Sequence, residues 1–177
     1  NAKEVVEMLN TYFERACAAM LAEGGSIDKF IGDAIMVEFG SPLPVADHAI
    51  RGVRAALALR AVAEEFADWM QQRFPGRDLP EFAVGIGLHS GEAVIGNIGS
   101  QARMEFTAIG DTVNLASRLE GMTKQLGCVR LASEATIASA GGAVVCGRSE
   151  VVTVKGRETP VRVFEVLEAN SEGVGDA

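Results

Sequence analysis

The chain has 177 residues, 48% of them hydrophobic and 23% charged, which is the length of one domain with enough apolar content to build a core. Its 16 Lys and Arg against 24 Asp and Glu leave a net charge of −8, which argues against binding nucleic acid or an anionic membrane through a basic face. Cys17, Cys128 and Cys146 are odd in number and share no CxxC spacing, so they predict neither a disulfide framework nor a zinc site but small buried side chains in a reducing, cytoplasmic compartment.

Val5, Val6, Leu9, Tyr12, Phe13, Ala16 and Met20 recur at helical spacing, and Gly24-Gly25 ends that helix. Two short apolar runs on either side of Gly32-Asp33 predict two strands joined by a tight turn. Ser41-Pro42-Leu43-Pro44 is a loop, and an Ala/Leu-rich stretch from Ala46 to Phe74 predicts a second helix stopped by Pro75-Gly76. Phe82–Leu88 and Glu92–Gly96 read as paired strands turning at His89-Ser90-Gly91, followed by a polar loop and a short strand at Met104–Ala108. A third helix runs from Thr112 to Leu126, with Asp111 as its N-cap and Gly127 closing it. Then come a strand at Val129–Ala132, a short helix capped by Ser133, and a closing pair of strands at Val151–Val154 and Val161–Leu167. Residues 1–169 form the domain, and the Gly/Ser/acid-rich residues 170–177 are expected to be a loose tail. Hairpin-length connections exclude an all-parallel sheet and predict an α+β fold, a mostly antiparallel sheet with helices on one face.

Few residues stand out as chemistry. Leu115, Leu119, Met122 and Leu126 form the buried stripe of the third helix, whereas Asn114 and Arg118, one turn apart, share another face. An amide beside a guanidinium suits a phosphate or a ribose; the same spacing also describes a solvated surface pair. Asp33 at its hairpin tip is either a turn residue or a carboxylate held out for a hard divalent cation. Lys29, taken alone, is a surface lysine. The glycine stretches lack a Rossmann or P-loop pattern, and the sequence around His89 offers no Ser or Cys arrangement at the recognisable spacing of a hydrolase triad.

Taken in order, Asp28-Lys-Phe-Ile-Gly-Asp-Ala-Ile-Met36, Gly85-Ile-Gly-Leu-His-Ser-Gly91, Phe106-Thr-Ala-Ile-Gly-Asp-Thr-Val-Asn-Leu-Ala-Ser-Arg-Leu-Glu120 and Val154-Lys-Gly156 resemble the catalytic domain of class III nucleotidyl cyclases, from Val5 to Val166. The resemblance implies a ferredoxin-like core and a head-to-tail homodimer with active sites across the interface. There, two aspartates of one protomer hold two Mg2+ or Mn2+ ions, and the partner supplies residues for the base and the phosphates. By that resemblance Asp33 is the second metal aspartate, Lys29 and Thr107 select the base, Asn114 orients the ribose, and Arg118 neutralises the α-phosphate in the transition state. Lys155 reaches the terminal phosphates, with Arg157 as a weaker substitute.

Lys with Thr at the base positions resembles adenylyl rather than guanylyl cyclases, which place Glu and Cys there, so ATP is the expected substrate. Alternatives are a guanylyl cyclase and a non-catalytic module that binds nucleotide or dimerises. The family's first strand, with the first metal aspartate and a phosphate loop, should precede Val5. Because it is missing from this sequence and Asn1 is not an initiator Met, we expect a piece of a longer protein with regulatory domains elsewhere, and little activity from the 177 residues alone.

Overall fold

The computed structural model describes residues 1–154 and 159–170. Helix α1 (Ala2–Ala22) opens with a reciprocal cap: the Asn1 side chain accepts from the Glu4 amide at 3.1 Å, and the Glu4 carboxylate returns to the Asn1 nitrogen at 2.6 Å. Its stripe of Tyr12, Ala16 and Met20 packs on Ala55, Leu59, Phe66 and Met70 of α2 (His48–Arg73). Tyr12, Phe66 and Phe82 meet at ring-centre distances of 4.7–5.5 Å, with Tyr12–Phe82 and Phe66–Phe82 edge to face, which adds specific geometry to that apolar contact.

Strands β1 (Ser26–Ile31) and β2 (Ala34–Glu38) form the expected hairpin, and Gly32 at φ 63° supplies the left-handed residue its tight turn requires. The register slips between Ile27 and Lys29, so Asp28 is the extra residue of a β-bulge. A second antiparallel hairpin joins β4 (Val94–Ser100) to β5 (Arg103–Ile109). The largest sheet has four strands in the order β3 (Ile86–Leu88), β6 (Arg130–Ser133), β8 (Val161–Ala169), β7 (Val144–Val152). Helices α3 (Asp111–Leu126) and α4 (Glu134–Ser139) complete the chain.

Several expectations need correction. Strand β3 does not pair with β4; it runs parallel to β6, while β4 extends through the residues read as a loop and pairs with β5. Helix α3 packs directly over β3 there, so close that Gly87 has no room for a Cβ against the Ala116 carbonyl. Helices also cover both faces of the four-stranded sheet, not one. Ala132 and Val166 pack under α2, while Leu131 and Val163, pointing the other way, meet Leu115 and Leu119 of α3. The N-cap of α3 is Gly110, leaving Asp111 as its first residue, where a carboxylate suits the positive end of the helix dipole. The three cysteines are half-buried, and that burial pushes each thiol up from its ordinary value.

The strands thus fall into three sheets, not one. Among the described residues no strand pairs with the outer edge of β2 or of β3, and both line a cleft of about 840 Å³ bounded by α1, α2 and α3. No helix among the described residues is long and apolar enough to cross a membrane.

Candidate active site

Strand β1 alternates, so Asp28 and Lys29 would ordinarily point to opposite faces. The bulge at Asp28 breaks that alternation, and both side chains reach β5. The Asp28 carboxylate, its side chain 2% exposed, accepts the Thr107 hydroxyl at 2.6 and 2.9 Å and the Ala108 amide at 3.0 Å. Lys29 Nζ stands 3.7 Å from Asp28 and 3.3 Å from Glu105, which also pairs with Arg103. Lys29 and Thr107, 78 positions apart in sequence, are therefore joined through one carboxylate. The Lys29 side chain is 33% exposed and Thr107 only 5%, so the ammonium forms the accessible rim and the hydroxyl the floor.

Burial pushes Asp28 up, but bonds from the Thr107 hydroxyl, the Ala108 amide and Glu38, with the Lys29 charge, outweigh it and hold Asp28 below the usual carboxylate range. Glu38 moves the other way: burial, then the neighbouring Asp28, push it above its ordinary value against bonds from Ser41 and Ala108. Its Oε1 is buried without a hydrogen-bond partner among the described residues. Sequence reasoning missed Asp28 and Glu38. The available signal was one carboxylate within each strand of a mostly apolar hairpin, Asp28 in β1 and Glu38 at the end of β2.

The other expected residues lie elsewhere. Asp33 is exposed at the β1–β2 turn and lines the cleft. Asn114 is exposed and Arg118 half-buried on the face of α3 turned away from the cleft, which takes Val113, Ala116, Ser117 and Glu120 instead. Among the described residues Arg118 makes no ion pair and Asp33 no hydrogen bond, and neither meets the other within one chain. Lys155 and Arg157 lie outside the described residues. No group of three His, Cys, Asp or Glu among the described residues could hold a metal ion, and Asp33 stands as an exposed carboxylate at the hairpin tip.

Around Lys29 and Thr107, the two hairpins expose Phe30, Ile31, Val94, Met104, Phe106 and Ile109, each about half-exposed or more. Apolar surface of this extent marks a contact face.

Comparison with known proteins assigns this geometry to a family. The family model described as the adenylate and guanylate cyclase catalytic domain matches residues 1–166. Adenylate cyclase 1 of Rhizobium meliloti (strain 1021) is 39% identical over 93% of this chain and 24% of its own length, and an adenylate cyclase of Anabaena cylindrica is 35% identical over 92% and 32%. The chain thus spans about a quarter to a third of these relatives. Among solved structures, the guanylyl cyclase Cya2 superposes with a TM-score of 0.81 at 33% identity, covering 97% of this chain and 84% of that one. The adenylyl cyclase CyaB from P. aeruginosa superposes at 0.80 and 31%, covering 97% and 86%. The chain belongs to the adenylate and guanylate cyclase catalytic domain family.

Proposed function

We propose that this chain is the catalytic domain of an adenylyl cyclase that converts ATP to 3′,5′-cyclic AMP and pyrophosphate at the interface of a head-to-tail homodimer. The observation that carries the reading is the Lys29–Asp28–Thr107 arrangement, because similarity to both an adenylyl and a guanylyl cyclase leaves the base open. The ammonium donates to the adenine N1 acceptor, and the Thr107 oxygen accepts from the 6-amino group. Guanine offers a proton at N1 and an oxygen at position 6, so both contacts would be mismatched, and mispaired buried polar groups discriminate strongly.

In the reaction the ribose 3′-oxygen bonds to the α-phosphorus as the bond from that phosphorus to the oxygen bridging the β-phosphate breaks; the 3′-hydroxyl proton passes to solvent water and pyrophosphate leaves with the bridging oxygen. Asn114 orients the ribose so that this oxygen is in line. Arg118, with no carboxylate partner among the described residues, keeps its charge for the α-phosphate as negative charge grows there. Asp33 of the facing protomer would hold a divalent cation together with the nucleotide phosphates, and such an ion lowers the cost of the accumulating charge. Lys155 is assigned to the terminal phosphates. The exposed apolar hairpins supply the contact that brings two copies together, each contributing equivalent residues. The cleft between β2 and β3 suits a further strand, which would join the two sheets and carry the remaining metal carboxylate.

The test measures cyclic AMP from ATP and cyclic GMP from GTP, with Mg2+ or Mn2+, for the whole protein and for the 177-residue chain. Turnover of ATP at least tenfold above GTP in the whole protein is expected, with little from the shorter chain. A whole protein that dimerises and binds ATP but forms no cyclic nucleotide would leave a binding module instead.

A further inference from the structure

Thr107 is a hydroxyl, and a hydroxyl can give one hydrogen or accept at either lone pair, so alone it would tolerate either an amine or a carbonyl at position 6 of a purine. Its surroundings remove that freedom. Both Asp28 oxygens lie within 2.9 Å of Thr107 Oγ1, and among the described residues the only other acceptor of its hydrogen is the Ala108 carbonyl at 3.4 Å. An ionised carboxylate has no hydrogen to offer, so the Thr107 proton must point to Asp28. The groups around Asp28 keep it ionised: the Ala108 amide at 3.0 Å and Lys29 Nζ at 3.7 Å both present hydrogens to it.

We infer that Asp28 sets the base preference of this site at one remove: by fixing the Thr107 proton inward it leaves only lone pairs facing the base, so that the site takes a purine bearing a hydrogen-bond donor at position 6. Asp28 is a positioning residue that need not touch the nucleotide. The inference rests on the assignment of Thr107 to the base, and the same backbone amide and bulge that hold Asp28 make its placement rigid.

Two ATP analogues isolate the effect. N6-methyl-ATP keeps a donor at position 6, whereas 6-methoxypurine riboside triphosphate puts an acceptor there at similar size; both keep the N1 acceptor that Lys29 would bind. Their dissociation constants are measured on the intact protein by competition with a fluorescent ATP analogue, for the wild type and for Thr107→Val and Asp28→Asn, with near-ultraviolet circular dichroism checking the fold. The wild type is expected to bind the donor analogue at least tenfold more tightly. Thr107→Val should erase the difference, and Asp28→Asn, whose amide can donate to Thr107 and turn its hydrogen outward, should erase or invert it. Equal binding by the wild type overturns the inference without any variant having to fold. A preference lost in Thr107→Val but kept in folded Asp28→Asn overturns the role of Asp28 while Thr107 still reads the base. A preference that survives Thr107→Val removes the base assignment itself.

Discussion

Arg118 and Lys29 are both cations beside a proposed nucleotide, but they should fail differently. Arg118 has no partner among the described residues and is assigned to charge that develops during reaction, so Arg118→Ala is expected to lower kcat about 10²–10³-fold with little change in KM. A rise in KM alone would make it a binding residue. Lys29→Glu with Thr107→Cys exchanges the polarity of both base contacts and should lower the ATP/GTP ratio of kcat/KM at least tenfold, about 1.4 kcal/mol of discrimination; an unchanged ratio removes the base assignment. The carboxyl pair behind them has a pH signature. Asp28, held below its ordinary 3.8, contributes stability that is lost only as pH falls through its lowered value. Glu38, raised above 4.5, contributes stability present below 4.5 and lost as pH rises through its higher value. Glu38→Gln keeps a donor for Asp28 but cannot ionise, so its melting temperature should gain on that of the wild type between pH 5 and pH 8. A constant difference across that range would mean that Glu38 does not titrate there. None of this pairing was legible beforehand, because adjacent strand residues normally diverge and a bulge leaves no composition signal; Lys29 and Thr107 stood out only through their resemblance to a family pattern.

At the scale of elements, legibility followed how local the deciding interaction is. The stripe Leu115–Leu119 and the closing Gly127 identify α3 because spacing and a left-handed cap are properties of a few neighbouring residues. The partner of β3 is not legible because a three-residue strand centred on Gly87 carries no alternation, and its pairing with β6 and its close contact with α3 are both long-range. That contact predicts its own test. Gly87→Ala puts a methyl group 2.2 Å from the Ala116 carbonyl and 2.3 Å from the Glu120 nitrogen, both backbone atoms that cannot swing away. The helix must lift from the sheet, and urea unfolding should register a loss of about 1–3 kcal/mol. Because α3 carries Asn114 and Arg118, activity should fall more than the folded fraction does. A variant with wild-type stability would show that α3 sits farther from β3 than described.

At the scale of the whole molecule, Asp33 lines the cleft beside β2, whereas Arg118 lies on a face of α3 that does not line it, so the proposed function brings them to one nucleotide through two copies of the chain. Under the proposed function a symmetric dimer would hold two sites, each taking Asp33 from one protomer and Lys29, Thr107, Asn114 and Arg118 from the other. This division makes inactive variants complementary. Asp33→Ala and Arg118→Ala should each be inactive as homodimers. After mixing and exchange, half the dimers pair one of each; such a dimer has one site with both defects and one with neither. Equal mixing should therefore restore about a quarter of wild-type turnover. Lys29→Glu mixed with Arg118→Ala is the control, since both lie on the same half-site. Every mixed dimer then carries one defect in each site, and no activity should return. Recovery in the control, or none in the first mixture at protein concentrations where dimers form, would contradict the shared site and with it the head-to-tail arrangement.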